Sequence, residues 1–257
     1  ITLDAHRTSD LNRAMELASE HNIPIIAFVH GSDWNRRGEK LRQSMWLTDE
    51  TDALFRHRSV VLLDVDVLQS PSETDADAQR GRHNLWKKKG LRTYPAIIAL
   101  QPNGAALGVR QGNELPSNPI LARDQVFELG KASIQSLSLR AIIASASTRE
   151  DPVAEHVAIH QLVELPLNRP TKLLKRLAEI DPADEDGVRR RLSMPLWYPF
   201  VAQATKDAKE GRSVEAIARL TGMLDANVYS PEQQAWICVA LGSVHRHTEG
   251  HETEAAE

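Results

Sequence analysis

The stretch that most constrains this chain runs from Ile23 to Trp46. Ile23-Pro24-Ile25-Ile26-Ala27-Phe28-Val29 is apolar and rich in branched residues, so it reads as a buried strand. It passes straight into the polar turn His30-Gly31-Ser32-Asp33-Trp34-Asn35-Arg36-Arg37-Gly38, and then into a helical pattern carrying Leu41, Met45 and Trp46. A second apolar run, Ser59 to Asp66, follows a short helix that Thr48-Asp49-Glu50 would cap and that reaches Phe55. Strand, helix and strand in this order call for parallel pairing through a right-handed crossover. Further on, Thr93-Tyr94-Pro95 opens a strand over 96–100, an Asn103-Gly104 turn follows, and a strand over 105–110 closes a hairpin.

The polar turn and the proline-opened strand together resemble the thioredoxin superfamily, in which a Gly-Ser-Asp-Trp turn precedes two cysteines spaced by two residues and a cis proline faces them. Ser32-Asp33-Trp34, Tyr94-Pro95 and Asn103-Gly104 occur in the order of that family. The resemblance implies an α/β thioredoxin-like domain, a central mixed sheet flanked by helices, over residues 1–147. It also implies a cis Tyr94–Pro95 bond. The two cysteine positions fall on Asn35 and Gly38. Thiol–disulfide exchange requires attack by an acidified thiolate, which neither an amide nor a hydrogen atom supplies. The fold is therefore expected without the redox activity, and Asn35→Cys with Gly38→Cys is expected to restore a disulfide-competent turn.

In active relatives the backbone beside the cis proline pairs with an extended peptide, an interaction that needs no sulfur. Trp34, Asn35, Gly38, Tyr94 and Pro95 are accordingly the candidate surface for a protein or peptide partner, with Trp34 expected chiefly as core. A folding factor of the disulfide-isomerase type working without thiols is one variant of this reading. Homo-oligomerisation is compatible with it. A different reading is a glutathione-transferase-like enzyme with Ser32 activating the thiol. Against that reading, Gln101-Pro102-Asn103 stands where such enzymes carry an acidic-Ser step.

A net charge of −4 provides no basic face for nucleic acid. The clusters Arg36-Arg37 and Lys87-Lys88-Lys89 read as solvated surface. No run approaches the roughly 20 apolar residues of a membrane span. The single cysteine, Cys238, lies in Trp236-Ile237-Cys238-Val239-Ala240 and reads as a small buried hydrophobe. The start at Ile1-Thr2-Leu3 is compatible with a processed export signal, and many family members are exported by bacteria. A periplasmic or secreted location is expected, with a cytoplasmic one as the alternative.

Beyond Ser145-Ala146-Ser147-Thr148 no strand pattern recurs. Helices are expected near 151–164, 170–180, 183–193, 196–210, 213–225 and 231–247, parted by prolines or Gly211, so residues 148–257 read as an all-helical domain. Its last two helices, with Ala216, Leu220, Ala235 and Leu241 as packing positions, look like the hairpin of tetratricopeptide repeats. The tail from His247 is expected to fray. His156 and His160 share a helix face at metal-clipping spacing, but Val157 stands where a zinc-protease motif needs Glu, so they read as surface or interface histidines. Residues 67–80 read as a solvated acidic loop without the spacing of a calcium loop. His30, Ser32 and Asp33 read as turn residues rather than a catalytic triad, which is ordinarily assembled from distant segments. No cofactor and no metal is expected.

Overall fold

A computed structural model of the chain describes residues 6–55, 60–69, 76–167, 171–226 and 228–254. Contacts divide it into two compact units, one formed by Ile1–Ile142 with Glu164–Asn168, the other by Ile143–Val163 with Arg169–Glu257.

The first unit is built on β1 (His6–Thr8), β2 (Ile25–His30), β3 (Val61–Asp66), β4 (Ala96–Leu100) and β5 (Ala106–Gln111), in the order β1-β3-β2-β4-β5. β1, β3 and β2 are parallel, whereas β4 runs antiparallel to β2 and to β5. The sheet is mixed, as the sequence implies, and the parallel pairing of β2 with β3 is the one expected. Every residue of β2 and of β4 is buried, because helices cover both faces.

Alternation along the strands sends the side chains two ways. Ile25, Ala27 and Val29 join Leu63, Ile98 and Trp86 on one face, beneath α1 (Leu11–His21) and α4 (Ala76–Lys88). Ile26, Phe28, Leu62 and Ile97 meet Leu41, Trp46, Phe55 and Val126 on the other. That second face is covered by α2 (Arg36–Leu41), by the wide turn Arg42–Trp46, by α3 (Asp49–Phe55) and by the first part of α5 (Pro119–Thr148). Asp10 caps α1 by accepting from the Asn12 and Arg13 N–H groups, and Asn22 ends it in the left-handed conformation. α4 begins at Ala76, five residues before Gly81, so part of the expected loop is helix. The rest of that loop, 70–75, lies outside the described residues.

The second unit is helical: α6 (Pro152–Glu164), α7 (Thr171–Ile180), α8 (Val188–Lys209), α9 (Ser213–Asp225) and α10 (Pro231–Glu254), with the end of α5. Two expected helices, 183–193 and 196–210, are one. α8 continues through Pro195 and Pro199, because Val188, Leu192 and Ala204 on either side are all held in the same core. α10 likewise continues to Glu254 instead of fraying from His247. Its inward face holds Gln233, Ile237 and Val244, whereas Ala235 and Cys238 are exposed. Cys238 is therefore not a core residue.

Candidate functional site

The turn after β2 is fixed by side chains returning to their own backbone. Asn35 is the N-cap of α2, its Oδ1 accepting the Gly38 N–H at 2.7 Å. Gly38 is buried, and a Cβ there would lie 3.1 Å from Asn35 Oδ1 and 3.2 Å from His30 Cβ. Of the two positions that the resemblance matches to cysteines, one thus serves as a cap and the other as the close approach that the cap requires. The Asn35 amide oxygen is engaged within the fold.

Trp34 is 39 % exposed rather than core. Its indole N–H donates to the Val67 carbonyl at 2.9 Å, and the ring lies over Gly31, where a Cβ would come within 2.2 Å of Nε1. A hydrogen-bonded indole held flat against a glycine is a lid that exposes its far face. Tyr94 meets it edge-on, ring centroids 4.9 Å apart at 80°. The Tyr94 hydroxyl pairs with His83 Nδ1 at 2.7 Å, and the two rings stack. Burial pushes the phenol up to about 12, so it is un-ionised at neutral pH. The Tyr94–Pro95 bond is cis, as expected. Pro95 is buried, and its carbonyl accepts the Gly112 N–H at 2.9 Å. The Arg92 and Thr93 N–H groups both donate to Gln111 Oε1. Among the described residues no group pairs with the Tyr94 N–H or C=O. The structure therefore brings Trp34 and Tyr94 together at the surface and leaves Asn35, Gly38 and Pro95 as the frame beneath them.

Below the turn lies a cluster that the sequence reading treated as ordinary strand and turn. His30, at the end of β2, is 1 % exposed. Its Nε2 lies 3.4 Å from Asp64 Oδ1, and its Nδ1 lies 3.7 Å from Asp66 and 3.8 Å from Glu39. Arg42 grips Asp64 through Nε and a terminal nitrogen, both at 2.8 Å. Burial pushes the Asp64 carboxyl up, but His30 and Arg42 outweigh it and hold the group below the usual carboxylate range. Asp66 accepts from the Ser32 N–H and hydroxyl, and Asp33 from the Gln69 N–H. Ser32 and Asp33 are thus engaged with groups other than His30, and no triad forms. A cleft of about 570 Å³ opens beside the cluster, lined in part by Asp10, Arg42, Asp64, Asp66, Arg82 and Trp86. The signal was present in the sequence: β2 ends in His where the apolar run stops, β3 carries Asp64 and Asp66 two apart, and the parallel register sets His30 opposite Asp66.

No family model matches the chain, and no curated protein matches it in sequence. Among solved structures, one described as "DsbH Oxidoreductase" is 18 % identical, covers 50 % of this chain and 88 % of that one, and superposes with a TM-score of 0.39. The sheet order and the geometry of the turn are what describe this fold. No helix among the described residues is long and apolar enough to cross a membrane.

Proposed function

We propose that residues 1–147 are a thioredoxin-like domain without redox chemistry that binds an extended peptide or protein segment, and that residues 148–257 are an attached all-helical, tetratricopeptide-like region. The observation that carries this reading is the Trp34–Tyr94 pair, Trp34 exposed and Tyr94 half-buried, beside a Tyr94 backbone whose N–H and C=O have no partner among the described residues. An extended chain satisfies such a backbone in the manner of an added strand, and the aromatic pair offers the residue types that dominate binding energy at interfaces. Asn35 and Gly38 replace the thiols that catalysis would need. The partner is a protein or peptide and not a nucleic acid, the setting is periplasmic or secreted, and self-association is compatible with this role.

The test is selection of binding peptides from a random display library on the full chain, followed by affinity measurements. Trp34→Ala and Tyr94→Ala are each expected to weaken binding tenfold or more, about 1.4 kcal/mol. Peptides that bind both variants with undiminished affinity would sink the proposal. Insulin reduction and scrambled-ribonuclease refolding are expected to stay at blank levels, and turnover that vanishes in Cys238→Ser would overturn the non-catalytic reading. A saturating ligand raises Tm through mass action. The thermal-shift curve with glutathione is therefore expected to be flat, and a rise accompanied by conjugating activity would favour a transferase.

A further inference from the structure

We infer that the helical unit holds a divalent metal ion of the zinc class between His156, Asp181 and Asp186. The three come from separate segments: His156 from α6, Asp181 from the residue following α7, and Asp186 from the residues leading into α8. His156 Nε2 lies 3.8 Å from Asp181 Oδ2 and 3.6 Å from Asp186 Oδ2, and the donor atoms all fall within 4.8 Å of one another.

These separations distinguish two kinds of contact. A hydrogen bond from an imidazole to a carboxylate closes to about 2.7–3.2 Å. Two ligands held at about 2.0–2.2 Å by one ion, at angles near tetrahedral, stand roughly 3.3–3.6 Å apart. The observed 3.6 and 3.8 Å lie beyond hydrogen-bond closure and near the ligand–ligand spacing, within a few tenths of an ångström of what an ion would require. The Nε2 atom is buried and makes no hydrogen bond, so a ring nitrogen with a lone pair or a proton to place has nothing directly against it.

The carboxylates are oriented from behind. Asp181 Oδ1 accepts the Asp184 N–H at 3.0 Å and Asp186 Oδ1 accepts the Val188 N–H at 3.2 Å, which turns both Oδ2 atoms toward His156. Outer hydrogen bonds of this sort are what fix the ligands of metal sites. Two carboxylates drawn together also call for positive charge. Among the described residues no Lys or Arg nitrogen comes within ion-pairing distance of either, and the nearby arginines are engaged elsewhere, Arg189 on the Pro182 carbonyl and Arg190 on Glu232. One imidazole and two carboxylates suit zinc and its first-row neighbours. The three ligands leave a position open to a cleft of about 320 Å³, whose lining also includes Glu185 and Ile180. This departs from the sequence reading, because His156 takes its partners from Asp181 and Asp186 and not from His160.

The test uses the full chain, stripped with chelator and titrated calorimetrically with Zn²⁺, with Co²⁺ absorption as an independent report of coordination. One ion per chain with micromolar or tighter affinity is expected, together with a rise in Tm. His156→Ala and Asp186→Asn should each weaken binding tenfold or more and remove the four-coordinate Co²⁺ spectrum. Asp186→Asn keeps the oxygen that accepts from Val188, so a folded but non-binding variant separates loss of a ligand from loss of structure, with circular dichroism as the check. His245→Ala, altering an exposed histidine on α10, should bind as the parent does. Absence of binding by the parent, or binding that survives both His156→Ala and Asp186→Asn, overturns the inference.

Discussion

Asn35 shows how one side chain holds the turn. Its Oδ1 satisfies the Gly38 N–H, one of the donors that a helix start leaves without an intrahelical partner. Replacing an Asn cap by Ala costs about 1 kcal/mol. Asn35→Ala is therefore expected to lower the stability of the first unit by that order, read as a shift of the urea midpoint with unchanged slope. The same bond alters the expectation for Asn35→Cys with Gly38→Cys. The pair would lose the cap and place a Cβ about 3.2 Å from His30 Cβ in a buried position, so the reduced double variant should be less stable than the parent even where the disulfide forms. Parent-like stability of the reduced form would show that the cap carries little.

Two elements, β2 and β3, set the charge balance beneath the turn. Their parallel register brings His30 against Asp64 and Asp66, and Arg42 closes the cluster from the turn after α2. Burial raises the Asp64 carboxyl, yet His30 and Arg42 hold it below its ordinary range. A carboxyl whose folded value is depressed adds stability above its unfolded value, and this is lost as pH falls through the folded one. The parent should therefore lose stability on acidification below about pH 4, the ordinary range of an aspartate. Asp64→Asn should flatten that dependence while being less stable at neutral pH. An unchanged acid slope in this variant would remove Asp64 from the account. In the helical unit, α10 teaches a different lesson. Trp236-Ile237-Cys238-Val239-Ala240 is apolar throughout and so carries no period, whereas the residue that marks the inward face is polar. Gln233 is buried because its Oε1 accepts from the Ser193 hydroxyl at 2.6 Å and the Ser230 N–H at 3.1 Å.

Across the whole molecule the chain leaves the first unit and comes back to it. Glu164–Asn168 belongs with the sheet domain, and Leu167 packs with the residues on one of its faces, its Cδ2 3.0 Å from where a Cβ on Gly108 would lie. Leu→Ala in a full core costs about 2–5 kcal/mol, so a half-buried position should lose less, about 1–2. Leu167→Ala is expected to lower the unfolding midpoint of the sheet domain and leave that of the helical unit in place, as resolved by hydrogen exchange of β2 against α9. Equal loss of protection in both would show that the two unfold as one.

The sequence by itself determined what depends on near neighbours. Unbroken apolar runs marked the buried strands, Tyr94-Pro95 set the start of β4, and Asn35 and Gly38 leave no thiol in the turn. Tertiary structure decided what depends on residues far apart in the chain. It carried α8 through two prolines because the core on both sides outweighs the lost hydrogen bonds, and it turned Trp34 outward because its indole found the Val67 carbonyl. It also assembled His30 with Asp64 and Asp66, and His156 with Asp181 and Asp186. The physical reason is one of range: propensity, capping and turn chemistry act over a few residues, whereas burial and charge pairing are settled only when the folded chain brings its distant segments within a few ångströms.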